Sequence, residues 1–277
     1  MTVIGIDIGG STTKIIAVRD SEIMPPMQVK ANDPKTSVYG AFGRYITENG
    51  LDLSSVNRIM ITGVGSSFIA EDIYGIKTGR VSEFDAIGKG GLYLSGLESA
   101  IIVSMGTGTS FIKADKDNIE RIGGTGVGGG TLLGLSSKFI HVRHFDSIVK
   151  LAAEGDLSKI DLTVGDISQN CVTDMPDYTT AANFGKVSDY ATKSDIAKGL
   201  INMILQTIGM MAVFACRIDD TENVVLCGNL TAVPDAQKYF DDIKELHGVD
   251  FIIPKYAEYA TALGAALSLP EIEKEKK

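Results

Sequence analysis

The chain has 277 residues, which suits two similar halves around a cleft better than one small core. Hydrophobic residues at 44% against 22% charged describe an ordinary soluble globular protein, and a formal net charge of -9 excludes binding driven by nucleic-acid phosphates, so any anionic ligand must be held by local devices. Cys171, Cys216 and Cys227 are odd in number and lack a C-x-x-C pair, which excludes a disulfide framework and a thiolate metal site.

The opening run MTVIGIDIGG enters a strand directly, with no basic and apolar leader, and no apolar stretch is read as reaching the ~20 residues of a membrane helix. A cytoplasmic location with no membrane partner is the expectation. Residues Val3 to Asp7 form a strand, Ile8 to Thr13 a polar glycine turn, and Lys14 to Arg19 a returning strand. A helix is expected from Thr36 to Glu48, a buried strand from Arg58 to Thr62, and a helix from Ser82 to Leu94. The opening pattern then returns: strand Ala100 to Ser104, turn Met105 to Ser110, strand Phe111 to Lys113. A shift of 97 places Gly9 on Gly106, Thr12 on Thr109 and Thr13 on Ser110, which suggests an internal duplication. The halves are set at 1–98 and 99–277, with an inserted polar segment at about 154–193 that is expected to hold small helices.

In the second half a glycine loop, Gly123 to Gly130, precedes a helix from Thr131 to Ile140. Ile196 to Cys216 reads as one buried helix, Asn223 to Leu226 as a strand ending in Cys227-Gly228-Asn229, Asp235 to His247 as an amphipathic helix, Phe251 to Ile253 as a strand and Glu258 to Leu267 as a last helix. Glu271 to Lys277 is a solvated charge run. Strands alternating with helices give an α/β protein.

The chemistry lies in the turns. Phosphates need converging N–H donors, and glycine lets backbone come close. Gly9, Gly10, Ser11, Thr12, Thr13 and Lys14 supply this after Asp7, a carboxylate placed to hold Mg²⁺ directly or through water. A plain hairpin is the bland alternative. Gly106, Thr107, Gly108 and Thr109 repeat the turn, with Ser104 where the first has Asp7. Neither turn is a Walker A loop, since no G-x-x-x-x-G-K-[ST] occurs. Gly124 to Gly129 satisfies G-x-G-x-x-G, but no βαβ unit is expected there, so the dinucleotide reading is set aside. Gly126, Gly128, Gly129 and Gly130, opening a helix, remain an anion site.

Phosphoryl transfer to an alcohol needs a carboxylate and a cation. Glu83 is the candidate carboxylate; alternatively it is a first-turn acid beside a Ser82–Asp85 capping box. Arg121 is the candidate cation, or an exposed strand-edge charge. His141 and His144, three apart on an expected helix, read as ordinary side chains rather than metal ligands.

Ile6 to Lys14 resembles the first phosphate motif of the actin, hexokinase and heat-shock chaperone superfamily. Gly123 to Leu135 is similar to the glycine-rich motif of type II, eukaryotic-like pantothenate kinases. Ser82 to Gly90, Gly165 to Ile167, Ala182 to Lys186 and Tyr259 to Ala266 resemble further pieces of that family. The resemblance implies an actin-like ATPase (ribonuclease H-like) fold: two duplicated α/β halves with mixed sheets around a nucleotide cleft. It implies ATP and Mg²⁺ as cofactors, pantothenate as substrate and 4′-phosphopantothenate as product, the first step to coenzyme A. It makes Glu83 the catalytic carboxylate and has Arg121 stabilise substrate and phosphoryl. It puts Thr107 near pantothenate and has Tyr259 reach a partner subunit's substrate in a homodimer. Gly228 falls in the adenosine motif, where Asn229 replaces the glycine of many relatives. A sugar kinase of the N-acetylhexosamine type and a nucleotide-driven activator ATPase are the rivals. The first lacks its cysteine-rich zinc loop here, and the second lacks suitably placed cluster cysteines.

Overall fold

A computed structural model of the chain describes residues 1–30, 33–168 and 175–268. Cys171 and the charge run Glu271 to Lys277 lie outside the described residues. The first half comprises β1 (Thr2–Ile8), β2 (Thr12–Arg19), β3 (Glu22–Ile23), β4 (Met27–Lys30), α1 (Pro34–Glu48), β5 (Val56–Thr62), β6 (Thr78–Arg80) and α2 (Glu83–Ser95). Its sheet runs β3-β2-β1-β5-β6, with β4 also paired to β2. β1 is antiparallel to β2 and parallel to β5. Asp33 starts α1 by accepting a hydrogen bond from the Thr36 N–H at 2.7 Å, and Pro34 costs nothing in the first turn, where its missing N–H has no helical partner. Val38, Phe42, Tyr45 and Ile46 of α1 are buried against Ile4, Ile6 and Ile8 of β1, one face of the sheet.

The second half comprises β7 (Ser99–Met105), β8 (Thr109–Asp115), β9 (Ile119–Thr125), α3 (Gly129–Phe139), α4 (Phe145–Ala153), β10 (Leu162–Thr163), α5 (Val164–Ile167), β11 (Thr180–Ala182), α6 (Lys193–Asp219), β12 (Asn223–Cys227), α7 (Ala236–His247), β13 (Asp250–Ile252) and α8 (Ala260–Leu267). Its sheet runs β13-β12-β7-β8-β9. β7 is antiparallel to β8 and parallel to β12, as β1 is to β2 and β5. The repeated hairpin is thus one piece of a repeated topology.

Register refines the repeat. Ile8 faces Thr13 across the first turn, whereas Met105 faces Thr109 across the second. The second turn is one residue shorter, so the shift of 97 becomes 96 on the returning strand. Thr13 corresponds to Thr109, and the Asp7–Lys14 pair corresponds to Ser104–Ser110. A further correspondence follows β5 and β12. Gly63 (φ 84) and Gly228 (φ 92) both take a left-handed turn into a short 3-10 helix. Each presses on the end of its central strand: a Cβ on Gly63 would lie 2.7 Å from the Ile8 carbonyl oxygen, and one on Gly228 would lie 2.6 Å from that of Met105.

The expected division at 98/99 falls where β7 begins, but two helices cross it. α2 packs on β7, β8 and β9 of the second sheet, and α8 packs on β1, β2 and β5 of the first. The two helices meet backbone to backbone. A Cβ on Gly90 would stand 1.9 Å from the Ala260 carbonyl oxygen, and one on Gly264 would stand 1.8 Å from that of Ala86. The contacts are reciprocal because the helices are themselves repeat equivalents. α8 also rests on the bare Gly5 of β1.

Four expectations change. Gly123, Gly124 and Thr125 belong to β9, so the glycine loop shortens; β9 is an antiparallel edge strand, which removes the dinucleotide reading on topology. His141 (φ 60) lies between α3 and α4 and His144 caps α4, so the two do not share a helix. No group of three or more His, Cys, Asp or Glu side chains suited to a metal occurs among the described residues. α6, started by a Thr192–Asp195 capping box, is long and apolar enough to cross a membrane by length and composition, contrary to the sequence reading, yet 67% of its apolar window is buried inside the fold. The segment at 154–193 contains a 3-10 turn, α5 and the small β10–β11 sheet. Asp161, buried there, accepts hydrogen bonds from Asn202 Nδ2 at 2.6 Å and the Phe184 N–H at 2.8 Å, which ties the segment to α6.

Candidate active site

The two hairpin turns open onto one cleft of about 650 Å³. Its first wall carries Asp7, Gly9, Gly10, Ser11, Thr12 and Lys14, and its second carries Gly106, Thr107, Gly108 and Thr109. Strand alternation explains the first wall. Ile6 and Ile8 point into the α1 core, so Asp7 points the other way, and antiparallel register sets Lys14 beside it. The N–H groups of Gly10, Ser11, Gly106, Thr107 and Gly108 have no hydrogen-bond partner among the described residues. Free donors on two turns of one cleft are chemistry that suits an anion whatever the net charge.

The electrostatics are those of charges held out of water. Burial raises the Asp7 carboxyl above its ordinary value, and the Lys14 ammonium opposes this. Burial lowers Lys14, against the pull of Asp7, Glu258 and Cys227. Glu83 stands in the first turn of α2 and lines the cleft. Burial raises its carboxyl, and the charge of Asp7 raises it further. The capping-box alternative fails, because Ser82 makes no side-chain cap bond. Arg121 lines the cleft from β9. A bulge leaves Ile122 unpaired there, with Phe111 facing Gly123 and Ile112 facing Arg121. The Arg121 guanidinium lies 5.3 Å from the Phe84 ring centroid, so the cation rests on the residue next to Glu83. Arg121 is therefore at once an edge-strand charge and a cleft residue. Among the described residues Asp7, Lys14, Glu83 and Arg121 make no side-chain hydrogen bond or ion pair, an arrangement that leaves all four for a ligand.

Other expected site residues lie elsewhere. Thr13 is buried on the core side, its hydroxyl without a partner among the described residues. Gly126 and Gly228 line the cleft, but Gly128, Gly129 and Gly130 do not. Their N–H groups are already spent on Thr131 Oγ1, the Gly106 carbonyl and the Thr107 carbonyl, so they are not free for an anion. Tyr259 is off the cleft, packed with Ile16, Ala262 and Leu263. Val64 and Thr261 line the cleft without having been singled out in the sequence. Val64 stands after Gly63 as Asn229 stands after Gly228, and a positive-φ glycine closing a strand was the signal for it. Cys216 and Cys227 are buried thiols pushed up to about 12, chiefly by desolvation, which makes them inert at neutral pH.

The sequence profile of the family described as Fumble matches residues 95–265. The chain belongs to the Fumble family. Its curated relatives include the type II pantothenate kinase of Staphylococcus haemolyticus (strain JCSC1435), 29% identical over 273 residues, covering 95% of this chain and 98% of that one. The type II pantothenate kinase of Bacillus cereus (strain G9842) is 27% identical over 235 residues, covering 82% of this chain and 83% of that one. Among solved structures, this Fumble protein is similar to the activator of the 2-hydroxyisocaproyl-CoA dehydratase from Clostridium difficile with bound ADPNP, with a TM-score of 0.68 at 18% identity, over 96% of this chain and 93% of that one. It is also similar to a ROK hexokinase from Thermus thermophilus, with a TM-score of 0.56 at 15% identity, over 96% and 98%. These likenesses establish the actin-like ATPase fold and nothing finer.

Proposed function

We propose that this Fumble-family chain is a pantothenate kinase, which transfers the terminal phosphoryl group of ATP to the primary hydroxyl of pantothenate and gives 4′-phosphopantothenate, the first step of coenzyme A biosynthesis. One observation carries the mechanism: two turns with free N–H donors line one cleft that also holds Asp7, Lys14, Glu83 and Arg121, none of which makes a side-chain hydrogen bond or ion pair among the described residues. A family of this name with relatives called type II pantothenate kinases supplies the acceptor.

In this reading the turns Gly9–Thr12 and Gly106–Thr109 hold the phosphates from opposite sides. Glu83 accepts the hydroxyl proton of pantothenate as that oxygen bonds to the terminal phosphorus. The bond to the ADP oxygen breaks, and ADP leaves with the electron pair. Arg121 and Lys14 offset the charge spread over the transferring group. Asp7 fits a Mg²⁺ ligand, since it is partly buried, ends a strand at the cleft and makes no ion pair or hydrogen bond of its own among the described residues. Asp7 would hold Mg²⁺ there, and the ion would supply charge neutralisation to the phosphates.

A coupled ADP-release assay tests the reading. Turnover is expected with pantothenate and absent with N-acetylglucosamine, and the reverse pattern would make the protein a sugar kinase. The family resemblance implies a homodimer in which the Tyr259 ring serves the second copy's acceptor; in its own chain Tyr259 stands off the cleft, half-buried beside Ile16, Ala262 and Leu263. Sedimentation velocity is expected to give twice the chain mass; a single-chain mass sinks that reading.

A further inference from the structure

We propose that Thr131 is a positioning residue, which holds the Gly106–Gly108 turn in shape for phosphoryl transfer by fastening the glycine loop beneath it. The inference rests on the kinase reading given above. A helix N-terminus ordinarily offers free N–H groups to an anion. α3 does not: the Gly129 N–H donates to the Gly106 carbonyl at 2.8 Å, and the Gly130 N–H donates to the Thr107 carbonyl at 2.8 Å. The helix thereby draws two carbonyl oxygens of the turn onto itself. A carbonyl oxygen left facing a phosphate would repel it, so occupying these two, while the N–H groups of the same turn stay free, biases the turn toward donors. The glycine loop thus acts one layer behind the phosphates instead of touching them.

That second layer needs its own fixing. Gly128 lies flat on the turn, where a Cβ would come within 2.8 Å of the Thr107 carbonyl oxygen and of Gly108 Cα. On the turn side, Thr109 Oγ1 donates to the Val127 carbonyl at 2.8 Å. On the far side, Thr131 Oγ1 donates to the Gly126 carbonyl at 2.8 Å and accepts from the Gly128 N–H at 3.2 Å. One hydroxyl therefore bridges the two ends of the loop segment 126–128, and it does so from outside the cleft lining.

Thr131→Val keeps the shape and removes the hydroxyl. It is expected to lower kcat roughly tenfold, the order of the two modest hydrogen bonds lost from this half-buried hydroxyl, while KM for pantothenate stays within about twofold. Thr131→Ser, which restores the hydroxyl, is expected to return kcat to within about twofold of the parent. Thr131→Ala, which removes the hydroxyl with less bulk, is read in the same way if the valine variant does not fold. Unchanged kcat in the hydroxyl-free variant overturns the proposal. So does a serine variant as impaired as the valine one, or a loss carried by KM instead of kcat. A parent enzyme that releases no ADP with pantothenate sinks the kinase reading and this inference with it, whereas an active parent with a fully active Thr131→Val sinks this inference alone.

Discussion

Glu83→Gln is expected to lower kcat for pantothenate phosphorylation by about 10²–10⁴-fold while ATP binding survives. The amide keeps the size of the side chain and its place in the first turn of α2, but it cannot accept the hydroxyl proton. The pH profile separates this role from a structural one. Burial and the charge of Asp7 both raise the Glu83 carboxyl above its ordinary 4.5. The base must be ionised to work, so activity is lost as pH falls through the raised value, and the acid limb of kcat/KM lies above the ordinary glutamate range. Stability moves the other way. A carboxyl whose folded value is raised binds more protons in the folded chain than in the unfolded one across the interval between the two values, so the ionised group destabilises the fold as pH rises through that interval. Gln removes that cost and the repulsion from Asp7. The ligand-free variant is therefore expected to melt no lower than the parent at neutral pH, as scanning calorimetry can measure. A variant that turns over normally, or one that loses ATP binding and melts early, would take Glu83 out of the mechanism.

Local features were readable from the sequence and long-range ones were not. Ile6-Asp7-Ile8 before a Gly-Gly turn places a carboxylate opposite two core side chains by alternation alone, and the structure puts Asp7 in the cleft. The helices over Thr36–Glu48 and Ile196–Cys216 were visible as apolar periodicity and appear as α1 and α6, a few residues longer at the capped ends. The roles of Gly128, Gly129 and Gly130 are not legible in the sequence because a glycine loop opening a helix looks the same whether its N–H groups face a phosphate or another turn. Only the distances to Gly106 and Thr107 tell the two apart. The slip from 97 to 96 is hidden in the sequence because a shift of 97 matches Thr12 to Thr109 and Thr13 to Ser110 by type, whereas the structural register matches only Thr13 to Thr109 and sets Lys14 against Ser110. Arg121 could not be aimed from sequence, since a one-residue bulge at Ile122 reverses the face of everything beyond it. The exchange of α2 and α8 between sheets involves residues far apart in the chain, and its trace in the sequence was no more than a run of small residues in each helix.

That exchange gives the largest expected effect on stability. Gly264→Ala is expected to destabilise the fold by more than ~3 kcal/mol, because the added methyl has nowhere to go. Its Cβ would stand 1.8 Å from the Ala86 carbonyl oxygen and 2.8 Å from the Gly90 nitrogen. These are backbone atoms of α2, which cannot rotate aside as a side chain would, so the two helices must part by more than an ångström along a contact that joins both halves. Helix propensity alone argues the opposite, since alanine in place of glycine inside a helix gains ~0.5–1 kcal/mol. The control is Gly40→Ala, in the middle of α1, where an added Cβ meets nothing within 4 Å and the propensity gain should appear unopposed. Urea denaturation midpoints of the two variants are therefore expected to move in opposite directions from the parent. A Gly264→Ala midpoint equal to or above the parent's would mean that α2 and α8 do not touch through their backbones. Activity is expected to fall with Gly264→Ala even where the fold survives, because α2 carries Glu83 in its first turn, and a shift of that helix displaces the carboxylate from the turns across the cleft.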